Sequence, residues 1–298
     1  MQFGFESDIT GIDFTLPVDS PMTAEVLKTA LPTTDLKVNI GCTRWAIKEW
    51  VRNLYPTATK QSEYLSEYSK QFNAIEFGPT FYDNPGSAII DHRYTSNVKP
   101  LSEFKFCPRV PQSISHIRRL RNCEHITNQF LETLAGFGIH LGPVLLQLAE
   151  SFSPKFLTYL QLFIKEWPSH LQLFVEVRHK EWFANESNRS QLFESLQKYN
   201  VGAVISDTAG RRDAVHMQLT TPHAFVRFVG NNGGTIEKAR LDEWVDRIGQ
   251  WRDLGLQSLS FFMHQHDELF APQSCHYLIQ QLNDKLNLGL RLPNLKET

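Results

Sequence analysis

The chain lacks any cysteine pair at metal-binding or redox spacing. Its four cysteines, Cys42, Cys107, Cys123 and Cys275, stand far apart, which excludes a zinc knuckle or a CxxC centre and leaves reduced thiols as the expectation. It has no run approaching the ~18 apolar residues of a membrane span, so no membrane association is expected. Charge of one sign is also missing. The 30 basic and 32 acidic side chains leave a formal charge of −2, with no overall pull toward nucleic acid or anionic lipid. The basic triplet Arg118, Arg119 and Arg121 fits the solvated edge of a helix at least as well as a nucleic-acid contact. The opening segment, Met1 to Gly11, carries Glu6 and Asp8 but no basic stretch leading into an apolar one, so the expected location is cytoplasmic and not secretory.

What is present is material for a large core. Hydrophobic residues make up 41% of the 298 residues and aromatics 12%, well outside the composition of disordered chains. Residues 1–35 hold Gly11, Pro17, Pro21 and Pro32 around a short apolar patch, Ile12, Phe14 and Leu16, and read as an amino-terminal extension. From residue 36 to 298 the texture changes to short β-rich runs separated by helical periodicity. The strand candidates are 38–42, 74–78, 104–108, 144–148, 173–178, 202–207, 224–230 and 258–264. The helix candidates are 62–72, 85–97, 124–137, 154–167, 189–199, 241–254 and 273–286, with 208–223 too short and polar to add another. Alternation of this kind predicts a parallel sheet. Eight units predict a single closed parallel (β/α)8 TIM barrel, its first strand paired with both the second and the eighth, and a site at the carboxyl ends of the strands. An open doubly wound sheet is the alternative.

Residues two apart on a strand share a face. The apolar sets Leu173, Val175 and Val177, Ile75 and Phe77, Phe104 and Phe106, and Val226 and Phe228 belong against the helices. That sends Glu76, Lys105, Arg109, Gln147, Glu176, Arg178, Arg227, His264 and His266 inward. Buried charges are rare without partners, and losing one partner of a buried pair costs ~3–5 kcal/mol. Two readings follow: a self-compensating plug, or the floor of a polar pocket.

The order of several short motifs resembles the YecE-like family, domain of unknown function 72. These are Gly41-Cys42-Thr43-Arg44-Trp45, Trp50, Tyr55-Pro56, Ile75-Glu76 before Thr80-Phe81-Tyr82, Phe104-Lys105-Phe106, Gly142-Pro143 leading to Gln147-Leu148, Val175-Glu176-Val177-Arg178-His179 before Trp182, and Phe225-Val226-Arg227. The resemblance runs from Val38 to about Leu286. It implies a TIM-barrel fold and assigns no reaction, so function has to come from the residues. Members commonly have a histidine where this chain has Val229, and many have an asparagine pair where it reads His264-Gln265-His266-Asp267.

The leading expectation is an enzyme using acid/base chemistry, without an organic cofactor, on a small phosphorylated or carboxylated substrate. Glu76 and Glu176 are the candidate catalytic pair. Lys105, Arg109, Gln147, Arg178, Arg227 and His264 are the candidate substrate ligands, with Trp45, Tyr82 and Trp182 as an aromatic wall. Arg178 and Arg227 are expected to hold the anion directly, and the glycines at 230, 233 and 234 suggest a phosphate loop. The competing classes are a non-catalytic anion-binding or regulatory protein, and a hydrolase or isomerase using a divalent metal on His179, His264 and His266 with Glu176 or Asp207. Oligomeric state is not legible.

Overall fold

The computed structural model describes residues 3–30, 35–98, 101 and 103–296. The β-rich runs form eight strands: β1 (Lys37–Cys42), β2 (Ala74–Phe77), β3 (Lys105–Pro108), β4 (Val144–Gln147), β5 (Leu173–Glu176), β6 (Gly202–Asp207), β7 (His223–Val229) and β8 (Ser258–His264). The principal helices are α1 (Pro21–Lys28), α2 (Tyr64–Gln71), α3 (Glu124–Leu134), α4 (Leu157–Glu166), α5 (Glu186–Lys198), α6 (Thr235–Leu254) and α7 (Ala271–Leu286). Capping is local chemistry: Asn185 accepts from the Asn188 amide at the start of α5, and Pro272 opens α7 where no amide partner is needed.

The expected closed eight-stranded barrel is not what forms. Backbone ladders join six parallel strands in the order β1-β8-β7-β6-β5-β4, an open half-barrel, while β2 and β3 pair separately. Side chains take the hydrogen-bonding groups that a ladder between β1 and β2 would use. The Ile40 amide donates to Asn73 Oδ1 at 2.9 Å, and Asn73 Nδ2 donates to the Val38 carbonyl at 2.6 Å. The Tyr68 hydroxyl accepts from the Cys42 amide at 2.7 Å and donates to the Ala74 carbonyl at 3.0 Å. At Gly41 the approach is so close that a Cβ would lie 1.9 Å from the Ala74 carbonyl oxygen.

The second gap lies between β3 and β4, where two isolated bridges pair Phe106 with Leu141 and Arg109 with Leu145. Three steps on one side face four on the other. The extra residue, with Pro143 and its missing amide inside the interval, interrupts the ladder as a bulge does. The tyrosine bridge is testable. Tyr68→Phe leaves a buried amide and a buried carbonyl without that hydroxyl, so a loss of ~1–3 kcal/mol is expected in urea denaturation; an unchanged midpoint would show that the hydroxyl is not the clasp.

Alternation along the strands assigns the faces as expected. Leu173, Val175, Ile75, Phe77, Phe106, Val226 and Phe228 join the main core against the helices. Ala74, Cys107, Leu145, Phe174, Val204, Phe225 and Phe262 meet in a separate apolar cluster on the inner side. Two residues further along each of these strands stand Glu76, Arg109, Gln147, Glu176, Ser206, Arg227 and His264. The inner face is therefore apolar below and polar above, at the carboxyl ends.

The extension runs alongside α6 from one end of the strands to the other. Gly4 meets Gly210 beyond β6, the Phe14 ring lies under Arg240, the Leu16 amide donates to Glu243, Asp19 accepts from Arg247 and Trp251, and Leu27 packs under Gly255. Residues 3–5 thus lie at the polar end.

Candidate functional site

Arg227 is the centre of the polar layer and is 1% exposed. Its Nε and Nη2 hold both oxygens of Glu76 at 2.9 and 2.8 Å. Its Nη1 donates to Glu176 Oε2 at 2.6 Å and to Gln147 Oε1 at 3.2 Å. Glu176 also accepts from Ser206 Oγ at 2.6 Å and from Arg178 Nη2 at 3.2 Å. Gln147 Oε1 accepts from Arg109 Nη2 at 2.7 Å, and His264 Nε2 lies 3.0 Å from Glu76 Oε2. One planar fork gripping two carboxylates is the geometry for which Arg is suited and Lys is not.

The electrostatics fix the protonation states. Burial would raise the Glu176 carboxyl, but the Arg178 and Arg227 guanidiniums outweigh it and hold it at about 2. For Glu76, burial is likewise overcome, chiefly by Arg227 and then by His264, and the group sits well below the usual carboxylate range. Both glutamates are carboxylates at neutral pH, which removes them as proton donors. Burial, against the pull of Glu76, takes His264 down to about 4. His264 is therefore neutral, and since an ionised carboxylate only accepts, Nε2 carries the hydrogen and Nδ1 keeps the lone pair.

Arg109 completes the ring from β3. Its guanidinium lies 4.0 Å over the Phe81 ring, gives one hydrogen bond to Gln147, and has a buried Nε without a partner among the described residues. Burial lowers it to about 10, so it remains charged. Beside it, burial and the Arg109 and Arg178 charges press His116 down to about 4.

Other candidates lie elsewhere. Lys105 shares the inner face but not the site. It stands at the start of β3, donates to the Ile139 carbonyl at 2.5 Å, and lines a concavity of about 1560 Å³ at the opposite, amino ends of the strands. Trp45 stacks on the outward Phe77 ring at 5.8 Å, and Trp182 is fully buried with Nε1 donating to Phe152. Tyr82 is 72% exposed at the rim, edge-on to Phe81. Arg227 does not serve as an open anion ligand, because Glu76, Glu176 and Gln147 already take its donors. The glycine loop after β7 is filled as well: the Asn231 and Gly233 amides donate to Glu237 Oε2 at 2.6 and 2.9 Å, so the chain's own carboxylate stands where a phosphate was expected.

The residues considered for a metal are dispersed. Asp207 is bound by Arg212, Arg240 and Trp244 on the outer side, His179 accepts from the Glu181 amide, and His266 packs against Phe5. Among the described residues no group of three or more His, Cys, Asp or Glu is placed to hold a metal ion.

Sequence reasoning did not place Ser206, Phe81 or His116 at the site, nor the start of the extension, whose existence it had read, at the mouth. Ser206 follows the same alternation as its neighbours and was accessible to it. Phe81 and His116 lie beyond strand ends, where no period applies, and Phe3 carries no local signal.

The chain matches the family described as "Protein of unknown function DUF72" over residues 39–297. It is 29% identical over 267 residues to UPF0759 protein YecE of Escherichia coli (strain K12), covering 84% of this chain and 94% of that protein. A DUF72 family protein from Enterococcus faecalis V583 superposes with a TM-score of 0.66 at 16% identity, over 88% of this chain and 99% of that one. Another from Thermotoga maritima MSB8 gives 0.58 at 20% identity, over 84% and 99%. At such identities the superpositions speak to fold alone. The segment at the mouth, residues 3–5, precedes the matched region.

Proposed function

The chain belongs to the DUF72 family, whose description names no reaction, and from that premise we propose that it is an enzyme that holds a small anionic substrate against Arg109 and moves a proton through His264. The observation that carries the reading is the charge of the ring. Three guanidiniums face two carboxylates, with Arg178, Arg227, Glu76 and Glu176 buried and Arg109 half-buried, and Glu150 adds a weaker, solvent-exposed influence on Arg178. A phosphate or carboxylate oxygen would neutralise that excess and satisfy the Arg109 Nε left without a partner among the described residues. An unpaired buried donor costs ~1–3 kcal/mol, which such a ligand would offset.

In this scheme each ring member has a distinct part. Arg227 and Gln147 are struts that keep the two carboxylates and Arg109 in register. Glu76 orients the imidazole so that Nδ1 faces the reactant as a base, and Ser206 and Arg178 keep Glu176 ionised. The carboxylates thereby act as orienting groups and not as the acid and base expected from the sequence, in line with the low pH at which they would take up protons.

The expected result is that inorganic phosphate at a hundredfold excess over its dissociation constant stabilises the protein by about 2.7 kcal/mol. Arg109→Gln should remove that gain while the unliganded protein melts within a few degrees of the parent. An equal gain in the variant would place the anion elsewhere. Turnover screening of small phosphorylated and carboxylated compounds tests the chemistry: on any substrate found, His264→Gln should lower kcat by ~10²–10⁴ and leave phosphate binding in place.

A further inference from the structure

We propose that the slot between Arg178 and Arg211 is a second binding subsite, for a planar aromatic ring carrying a carbonyl-type acceptor, and that Phe3 and Gly4 of the chain's own extension occupy it. Phe3 is 4% exposed although it lies near the start of the chain. Its ring centre is 4.5 Å from the Arg178 guanidinium carbon and 5.0 Å from that of Arg211, so two cations address one ring. The backbone is held as closely. Thr208 Oγ1 donates to the Phe3 and Gly4 carbonyls at 3.2 and 2.8 Å, and the Gly210 amide donates to the Gly4 carbonyl at 2.9 Å. Gly4 adopts φ +64°, and a Cβ there would come within 2.5 Å of the Thr208 side chain, so this position admits glycine and little else.

Both arginine walls of the slot have anchors outside the segment inside it. Arg211 is fixed by two bonds to Asp213, at 2.8 and 2.7 Å, and donates to the Arg178 carbonyl at 2.7 Å. Arg178 is anchored to Glu176 of the buried ring. The donors at Thr208 and Gly210 belong to the stretch that follows β6. What fills the slot is followed by an exposed stretch, in which Phe5 is 51% exposed and touches His266 edge-on, before the extension is buried again at Phe14. A slot walled by two anchored guanidinium planes, with two aligned donors, is a site for a ring with an acceptor, and residues 3–4 present that chemistry in cis. Because Arg178 belongs both to this slot and to the charged ring, a ligand spanning both would be an aromatic anion. Only that last step rests on the anion reading of the Arg109 pocket.

The experiment compares the full chain with Phe3→Ala and Phe3→Leu, using benzamide, inorganic phosphate and phenyl phosphate as probes, by calorimetry or ligand-observed magnetic resonance. Benzamide has the ring and the acceptor but no charge. It should bind Phe3→Ala at least tenfold more tightly than the parent, with a smaller gain in Phe3→Leu, whose bulk remains without the ring face. Phenyl phosphate should gain tenfold or more in Phe3→Ala, and phosphate less than threefold. No benzamide gain in either variant overturns the proposal, as does a phosphate gain matching that of phenyl phosphate, which would make the segment a plain cover. A benzamide gain with no phosphate binding in any protein sinks the anion reading and leaves this subsite standing.

Discussion

Arg227→Met should destabilise the protein by about 3–5 kcal/mol, the cost of leaving buried charge without its partner. Methionine preserves much of the volume, so the loss isolates the electrostatics from a simple cavity. The residue bonds both oxygens of Glu76 and one of Glu176 with almost no solvent to take its place. Converting the two carboxylates to amides in the same variant, Glu76→Gln and Glu176→Gln with Arg227→Met, should recover part of the loss, because no unpaired charge then remains in the layer. Urea denaturation of the three proteins measures it. A single variant within ~1 kcal/mol of the parent would mean that water or another cation reaches the carboxylates. For the same reason, a change in ligand affinity in any Arg227 variant would be mixed with a disturbed ring.

Stability should fall in two acid steps, the first beginning near pH 6.5. Burial brings His216 to about 4, with its bond to the Val204 carbonyl opposing and Arg189 assisting. Its Nε2 donates to the Val204 carbonyl at 3.0 Å and its Nδ1 accepts from the Gln218 amide at 3.1 Å. Protonation would turn that acceptor into a donor facing another donor. His264 is lowered to about 4 as well. A histidine depressed in the folded state binds its proton more readily unfolded, so its contribution is full above about pH 6.5 and is lost as pH falls toward 4. At pH 5 the loss is about 2 kcal/mol for each such histidine. The second step belongs to the depressed carboxyls Glu176, Glu76 and Asp207, whose contribution is present above their ordinary values and is lost as pH falls, through about 2 for Glu176. Urea denaturation at pH 7.5, 5 and 3.5 reads both steps. Equal stability at pH 7.5 and 5 would show that these imidazoles, with His116 beside Arg109, are not held neutral. His216→Gln should flatten the first step by about a third, the remainder belonging to His264 and the half-buried His116.

The face on which each polar side chain stands was legible from the residues alone, because a strand's period of two is a property of the local backbone. The apolar pairs Ile75 and Phe77, or Val226 and Phe228, place Glu76 and Arg227 on the inner side whatever else the chain does. Level along the strand is less local. Lys105 and Arg109 share a face, yet four residues at ~3.3 Å each put roughly 13 Å between them, enough to send one to the amino ends and leave the other in the ring. Family membership was legible as well, since it rests on motif order.

Partnership and closure needed three dimensions. Nothing in the alternation of β7 says that Arg227 will spend its donors on Glu76 and Glu176, since they come from strands 151 and 51 residues away in the chain. Nor could strand count reveal that the side chains of Asn73 and Tyr68 would take the edge of β1, or that the bulge at Pro143 would interrupt the pairing of β3 and β4. Strand propensity speaks to each segment singly, whereas a ladder depends on two edges meeting in register. The extension shows the same limit most plainly: its sequence displays turns and a few apolar residues, and only packing along α6 carries Phe3 to a pair of arginines, because long-range burial and charge select that path and local preference does not.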